Sequence, residues 1–517
     1  MSEQIAAAGP PAGEARTAGA WLAASRVAVL RGDTVAALAT LRAGVSAHPA
    51  DPGLQHALAG VAWQAGHAAE AEALLRDLLG RRPDHAASAF LLARLLKSQD
   101  RMLGVETTLR ALFRNAPQDT ATLIAAIELL DDCGRKQAAA DLVEAAIAQG
   151  AGDPRLHAYA GMLAMQLGAF DRARQRYRHT LEHDPRALAW ESAYGYAVST
   201  RYTDPDDPDF AFLRGLLARE GHSTAARASL LFALGKMHDD VGDAAHAATC
   251  LREATTLARA GRDWSRRNWR RLVAARLAAP ELPLEAADDD FVPVFLVGLP
   301  RSGTTLLATR LASRPSVCDR GETPWIAALA AEIARAPRPA EALAGAAAAY
   351  RRHMRQDDTD ARWFIDKHPL NFQHVGLIRA LFPQARIVHC RRSLRDTALS
   401  IWMQHFAGPE FAFAYDFADI AALADGCSRL MALAQRRYPD LIHDVRYEDL
   451  VRDPDGVTRA VAAWLGLPDA PDAAPAALVV ISTASAWQAR QPIHTRSIGR
   501  WRAYAPYVPE LAGFADG

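Results

Sequence analysis

Cysteine is scarce in this chain: five residues in 517, Cys133, Cys250, Cys318, Cys390 and Cys427, odd in number, widely spaced and without a C-x-x-C pair. That excludes a disulfide framework and a cysteine zinc site, and sets the expectation of reduced thiols in a cytoplasmic protein. Long apolar runs are missing as well; no stretch of about 18 residues is both apolar and free of helix breakers, so no transmembrane segment is expected. The opening residues carry no basic stretch ahead of an apolar core, so no secretory leader is expected either. An excess of one charge is also lacking, with 59 Lys and Arg against 59 Asp and Glu. A neutral chain is no platform for nucleic acid, so any anion site must be local. No acidic pair has metal-ligand spacing, and no metal is expected. Lysine is nearly absent: Lys97, Lys136, Lys236 and Lys367 are the only ones among the 59 basic residues.

What is present begins with a repeat. Gly32, Gly66, Asp100, Gly134 and Gly168 follow one another at 34 residues, and Pro49, Pro83, Pro117 and Pro185 keep the same period. Five residues after each turn position stands a small side chain, Ala37, Ala71, Ala139 and Ala173, with Val105 as the exception. Leucines at helical spacing flank the turns, as in Leu54, Leu58 and Val61 before one and Leu74, Leu75, Leu78 and Leu79 after it. This is the period and punctuation of tetratricopeptide repeats, paired helices stacked into a solenoid. Phase is lost at the loop-forming Tyr202 to Asp209 and resumes near Gly242. A solenoid offers a concave groove for a peptide or protein partner, or serves as a scaffold orienting the second domain. The boundaries read as a flexible start over 1–20, repeats over 21–275, an acidic Pro-containing linker over 276–291 and a second domain over 292–517.

The second domain opens with Phe295-Leu-Val-Gly-Leu-Pro-Arg-Ser-Gly-Thr-Thr-Leu306, a buried-strand run that breaks into a glycine-bracketed loop and re-emerges as a helix. Gly298 and Gly303 let the backbone curl so that amides from Ser302 to Thr305 face one concavity at a helix N-terminus, an anion cradle. The glycine spacing is that of a P-loop, but Thr304 stands where a triphosphate-binding loop needs lysine. The hydroxyls of Ser302, Thr304 and Thr305, with Arg301, can still hold one phosphate. Further strands read at 316–319, at 362–366 with Lys367 at its end, at 385–390 running into Arg391 and Arg392, and within 441–450, which carries Tyr447. Thr323 reads as an N-cap with Pro324 at the first helical position, and Ser393 with Asp396 as a capping-box-like pair. The expected architecture is an all-α repeat solenoid followed by an α/β parallel sheet with flanking helices. In such a sheet the strand ends share one edge, so the cations after them should converge.

F-L-V-G-L-P-R-S-G-T-T resembles the 5′-phosphosulfate loop of sulfotransferases that use 3′-phosphoadenosine-5′-phosphosulfate (PAPS), especially the protein-tyrosine branch, and the resemblance extends over roughly residues 292 to 505. It implies PAPS as sulfuryl donor and an acceptor carrying a hydroxyl, whether peptidyl tyrosine, a small molecule or a glycan. It implies Glu322 as the base, with His368 as a competitor, and Lys367 on the bridging oxygen of the donor. Arg392 with Ser400 eight residues on implies the 3′-phosphate site, and Tyr447 a nucleotide contact. Arg496, Gly499 and Arg500 resemble a diverged cofactor-covering segment. Rival readings are a P-loop kinase or NTPase, which the absent loop lysine disfavours, and a repeat scaffold whose second domain binds nucleotide without chemistry.

Overall fold

A computed structural model describes residues 16–115, 119–288, 290–338, 340–406, 408–468 and 493–514. The turn inside each helix pair explains the period of the first half. Gly32, Gly66, Gly134 and Gly168 have φ of 76°, 85°, 71° and 81°, and Asp100, in the glycine position of the third pair, has 59°. A left-handed residue there reverses the chain within two residues; a short Asp side chain tolerates it, a branched one would not. The small residue five positions on is fully buried each time, at Ala37, Ala71, Val105, Ala139 and Ala173.

The chain forms two compact units, Met1–Ala138 and Ala139–Gly517. In the first, Ala18–Leu30 pairs with Thr34–Ala47, Pro52–Gln64 with Ala68–Arg81 and Ala86–Ser98 with Met102–Asn115. Leu41, Leu54, Leu75, Leu95 and Leu109 are completely buried in its core. The start expected to be flexible through residue 20 is already helical from Ala18, where the Thr17 hydroxyl accepts the Ala20 amide at 3.3 Å. Residues 1–15 and Pro117 lie outside the described residues.

The second unit continues the array with Pro154–Leu167 and Phe170–His183, then shorter helices, then Thr224–Asp240 and Ala244–Ala260 about a left-handed Gly242 (φ 83°). The insertion that breaks the phase is tied down by buried Asp209, which accepts from the hydroxyls of Tyr196 at 2.8 Å and Tyr202 at 3.0 Å.

Beyond it lies a five-stranded sheet: β1 Val292–Gly298, β2 Val317–Asp319, β3 Trp363–Asp366, β4 Arg386–Arg391 and β5 Ile442–Arg446, in the order β2-β3-β1-β4-β5. All four pairings are parallel, with Phe295 opposite Asp366, Gly298 opposite Cys390 and Arg391 opposite Arg446. The carboxyl ends therefore share one edge, as expected. One face of the sheet buries Val294, Leu296 and Val388 against Leu307 and Val461. The other buries Phe295, Val297 and Ile387 in a core that also takes Leu231, Phe232, Leu251, Trp269 and Val273 from the last repeat helices. Each such large side chain contributes about 1.5–3 kcal/mol, and the Trp269 indole adds a hydrogen bond to the Ala422 carbonyl at 2.8 Å. The division between the compact units thus falls inside the array. The Pro-containing segment at 276–291 runs along the second unit, where the Glu285 amide donates to Ala380 at 2.8 Å and Gln384 to Phe291 at 2.9 Å.

Candidate functional site

The turn after β1 owes its shape to two glycines. A Cβ on Gly298 (φ 143°) would lie 2.4 Å from the Cys390 carbonyl of β4, and one on Gly303 (φ 100°) would lie 2.7 Å from the Tyr447 ring. Between them Arg301 takes a left-handed φ of 70°, a conformation of real cost for a long side chain. Gly303 then opens the Thr304–Leu311 helix, whose first-turn amides have no intrahelical acceptor.

Arg301, Gly303, Thr304, Thr305, Arg392, Ser400 and Tyr447 line one cavity of about 360 Å³ at the carboxyl edge of the sheet, together with Arg496 and Arg500. Arg301 Nε donates to Ser400 Oγ at 3.1 Å, and Arg392 donates to the carbonyls of Arg301 at 3.1 Å and Ser497 at 2.7 Å. The Arg392 guanidinium lies 4.5 Å from the Tyr447 ring centroid. Its Nε is buried without a partner, and among the described residues it forms no ion pair. Burial, with Arg392 next in effect, pushes the Arg301 guanidinium down to about 10, and burial also lowers Arg392. Two desolvated cations in one cavity, both still charged at neutral pH, are what a phosphate relieves. Arg391, by contrast, faces Asp444 at 3.3 Å across β4 and β5.

Lys367 and Glu322 do not line that cavity. They meet each other at the neighbouring ends of β3 and β2, with Lys367 Nζ 3.4 Å from Glu322 Oε1. Buried Asp366 fixes this corner by accepting the hydroxyls of Thr323 at 2.7 Å and Tyr350 at 3.0 Å and the His368 amide at 3.1 Å. Burial raises the Asp366 carboxyl despite those bonds. His368 is half-buried and its Nδ1 has no partner.

Several expectations need correction. Thr323 is not the cap of the following helix: its hydroxyl is committed to Asp366, and Pro324 holds the cap position without a side-chain bond. Ser393 and Asp396 do not form a capping box. The Ser393 amide donates to Glu448 Oε1 at 2.9 Å, and Asp396 accepts the amides of Gly499 at 2.6 Å and Trp501 at 2.9 Å. Gly499 is thereby a fastening point outside the cavity lining. Ser302 lines a second crevice behind the loop, its hydroxyl buried without a partner. Arg500 lines the cavity but is ion-paired with Asp239 of the Thr224–Asp240 helix; burial pulls its guanidinium down, and Asp239 and Tyr504 together outweigh that and raise it. Arg496 stands at the rim.

The sequence reading missed what the repeats bring here. Arg201, Asp239 and Asp240 belong to the same cavity lining. The signal was the loss of phase beginning at Tyr202, since an interruption in a regular array marks a place where the array does something else.

Residues 293–472 match the family model described as Sulfotransferase family, and residues 28–95 that described as Tetratricopeptide repeat. An uncharacterized protein of Aquifex aeolicus is 30% identical over 236 residues, 42% of this chain and 31% of that one. Nodulation protein NoeE of Sinorhizobium fredii is 30% identical over 210 residues, 33% of this chain and 49% of its own length. The matches therefore span about a third and about a half of these curated relatives. Among solved structures, the sulfotransferase domain from the Synechococcus PCC 7002 olefin synthase is 21% identical, with a TM-score of 0.33, over 43% of this chain and 91% of that domain.

Proposed function

We propose that this chain is a PAPS-dependent sulfotransferase acting on an acceptor hydroxyl. The observation that carries the reading is the single cavity in which the Thr304 helix N-terminus, Arg301 and an Arg392 without a carboxylate partner among the described residues face one another. The cavity fits a nucleotide carrying phosphate at both ends of its ribose: the loop amides with Thr304, Thr305 and Arg301 for the 5′ side, Arg392 with Ser400 for the 3′ side, and the Tyr447 ring between. Bound there, the donor supplies the sulfuryl group.

Lys367 supplies positive charge toward the donor's bridging oxygen, where negative charge grows as the S–O bond breaks. Glu322 takes the proton of the acceptor hydroxyl as its oxygen attacks in line. The contact between the two side chains keeps the carboxylate beside a cation until the acceptor arrives. This path calls on no metal, and Thr304 stands where a triphosphate-binding loop has its lysine. The location is expected to be cytoplasmic, and no helix among the described residues is long and apolar enough to cross a membrane.

Calorimetry with PAPS, adenosine 5′-phosphosulfate and ATP, without magnesium, tests this. PAPS is expected to bind at least tenfold more tightly than either comparator, and Arg392→Ala to erase that margin, about 1.5–3 kcal/mol for a charge-assisted bond. Equal affinity for all three, or preference for magnesium-ATP, would hand the cavity to the kinase reading.

A further inference from the structure

The segment from Ser497 to Tyr504 covers one side of the cavity and is fastened at two ends. On the sheet side, Arg392 holds the Ser497 carbonyl and Asp396 holds the Gly499 and Trp501 amides. On the repeat side Tyr504 packs in the core that holds Ala247 and Leu251, and the polar attachment among the described residues is one carboxylate: Asp239 pairs with Arg500 and accepts the Tyr504 hydroxyl at 2.6 Å.

A carboxylate lining an anion cavity opposes its ligand unless it is neutralised, and both oxygens of Asp239 are engaged by this segment. Its neighbour Asp240 is occupied separately, by Lys236 at 2.6 Å and the Tyr202 amide at 3.0 Å. We infer that Asp239, a residue of the last repeat pair, is a positioning residue for the donor site, anchoring the covering segment through Arg500 and Tyr504. The repeat array thereby supplies one wall of the donor cavity and sets how long the donor stays in it. Arg500 acts as the segment's tether, and the phosphate charge is met by Arg301 and Arg392.

The effect on donor binding rests on the sulfotransferase reading; the anchoring does not, and two measurements on the full chain separate them. In Asp239→Asn, which keeps an acceptor for Tyr504 and loses the ion pair, amide hydrogen exchange over 493–504 is expected to rise at least tenfold while that of β1 stays unchanged. Arg252 holds Glu510 at 2.7 Å and the Tyr507 carbonyl at 3.1 Å by itself, so the variant is expected to fold. Calorimetry with adenosine 3′,5′-bisphosphate is expected to show about 10- to 100-fold weaker binding, carried by faster dissociation, with turnover at saturating donor within twofold. Asp239→Glu should restore part of the affinity, and Arg500→Met should add nothing to Asp239→Asn. Unchanged exchange over 493–504, or a rise shared by β1, overturns the anchoring. If the wild-type chain does not bind the bisphosphate, the donor reading falls and the exchange result alone decides the role of Asp239.

Discussion

Lys367 Nζ stands 3.4 Å from Glu322 Oε1, and the lysine side chain is only 3% exposed while the glutamate is 29% exposed. The ammonium is thus enclosed, and the carboxylate reaches toward solvent from which an acceptor arrives. Glu322→Gln keeps size and removes the proton acceptor; turnover should fall by about 10²–10⁴ with donor affinity little changed. Lys367→Ala should lower turnover much more than donor binding. Single-turnover kinetics beside calorimetry separates the two; full turnover in Glu322→Gln would remove the base assignment and bring His368 forward.

Gly303→Ala places a methyl 2.7 Å from the Tyr447 ring and asks alanine to hold φ 100°. The ring or the loop must move. Donor affinity is expected to drop by at least tenfold with a loss of stability of about 1–3 kcal/mol, read by calorimetry and urea unfolding.

Asp366 is completely buried under three hydrogen-bond donors. Tyr350→Phe removes one of them and should cost about 1–2 kcal/mol in urea unfolding. Asp366→Ala should cost more and also lower turnover, since it frees the corner that holds Lys367 and Glu322.

His157 stacks on His179 with ring centroids 3.9 Å apart, and His179 on His183 at 4.1 Å. Burial first, and His179 next, push the His157 imidazole down to about 4. The unfolded chain therefore binds a proton between about pH 6.5 and pH 4 that the folded chain refuses. Stability from this group is complete above pH 6.5 and is lost as pH falls toward 4. Urea unfolding of His157→Gln should show a shallower decline over that window, by on the order of 1–2 kcal/mol; an identical slope would remove His157 as the source.

Both halves of the fold were legible because each rests on a local backbone demand. The 34-residue series marks places where only glycine, or a short polar residue such as Asp100, turns left-handed, and the loop after β1 announces itself through Gly298 and Gly303. Arg392 and Ser400, singled out in the sequence by their eight-residue separation, line the same cavity. What stayed hidden depends on contacts distant in sequence. Thr323 and Asp396 have the right types and spacing for helix caps, yet Asp366 and the Gly499 amide, 43 and 103 residues away, claim them. Asp239 is an ordinary acidic residue near a helix end until the chain brings Arg500 beside it.

The packing of Phe232, Leu251 and Trp269 into the same core as Phe295 and Phe364 bears on ancestry and on engineering alike. The visible seam at the Pro-containing segment is not where the protein comes apart. The half that carries the sheet, excised there, would have an open apolar face and a cavity missing one wall, and a transplanted array would leave its last helices without a floor. Exchange of parts between relatives has to keep the helices from Thr224 to Ala278 together with the sheet against which Leu231, Phe232, Leu251, Trp269 and Val273 pack.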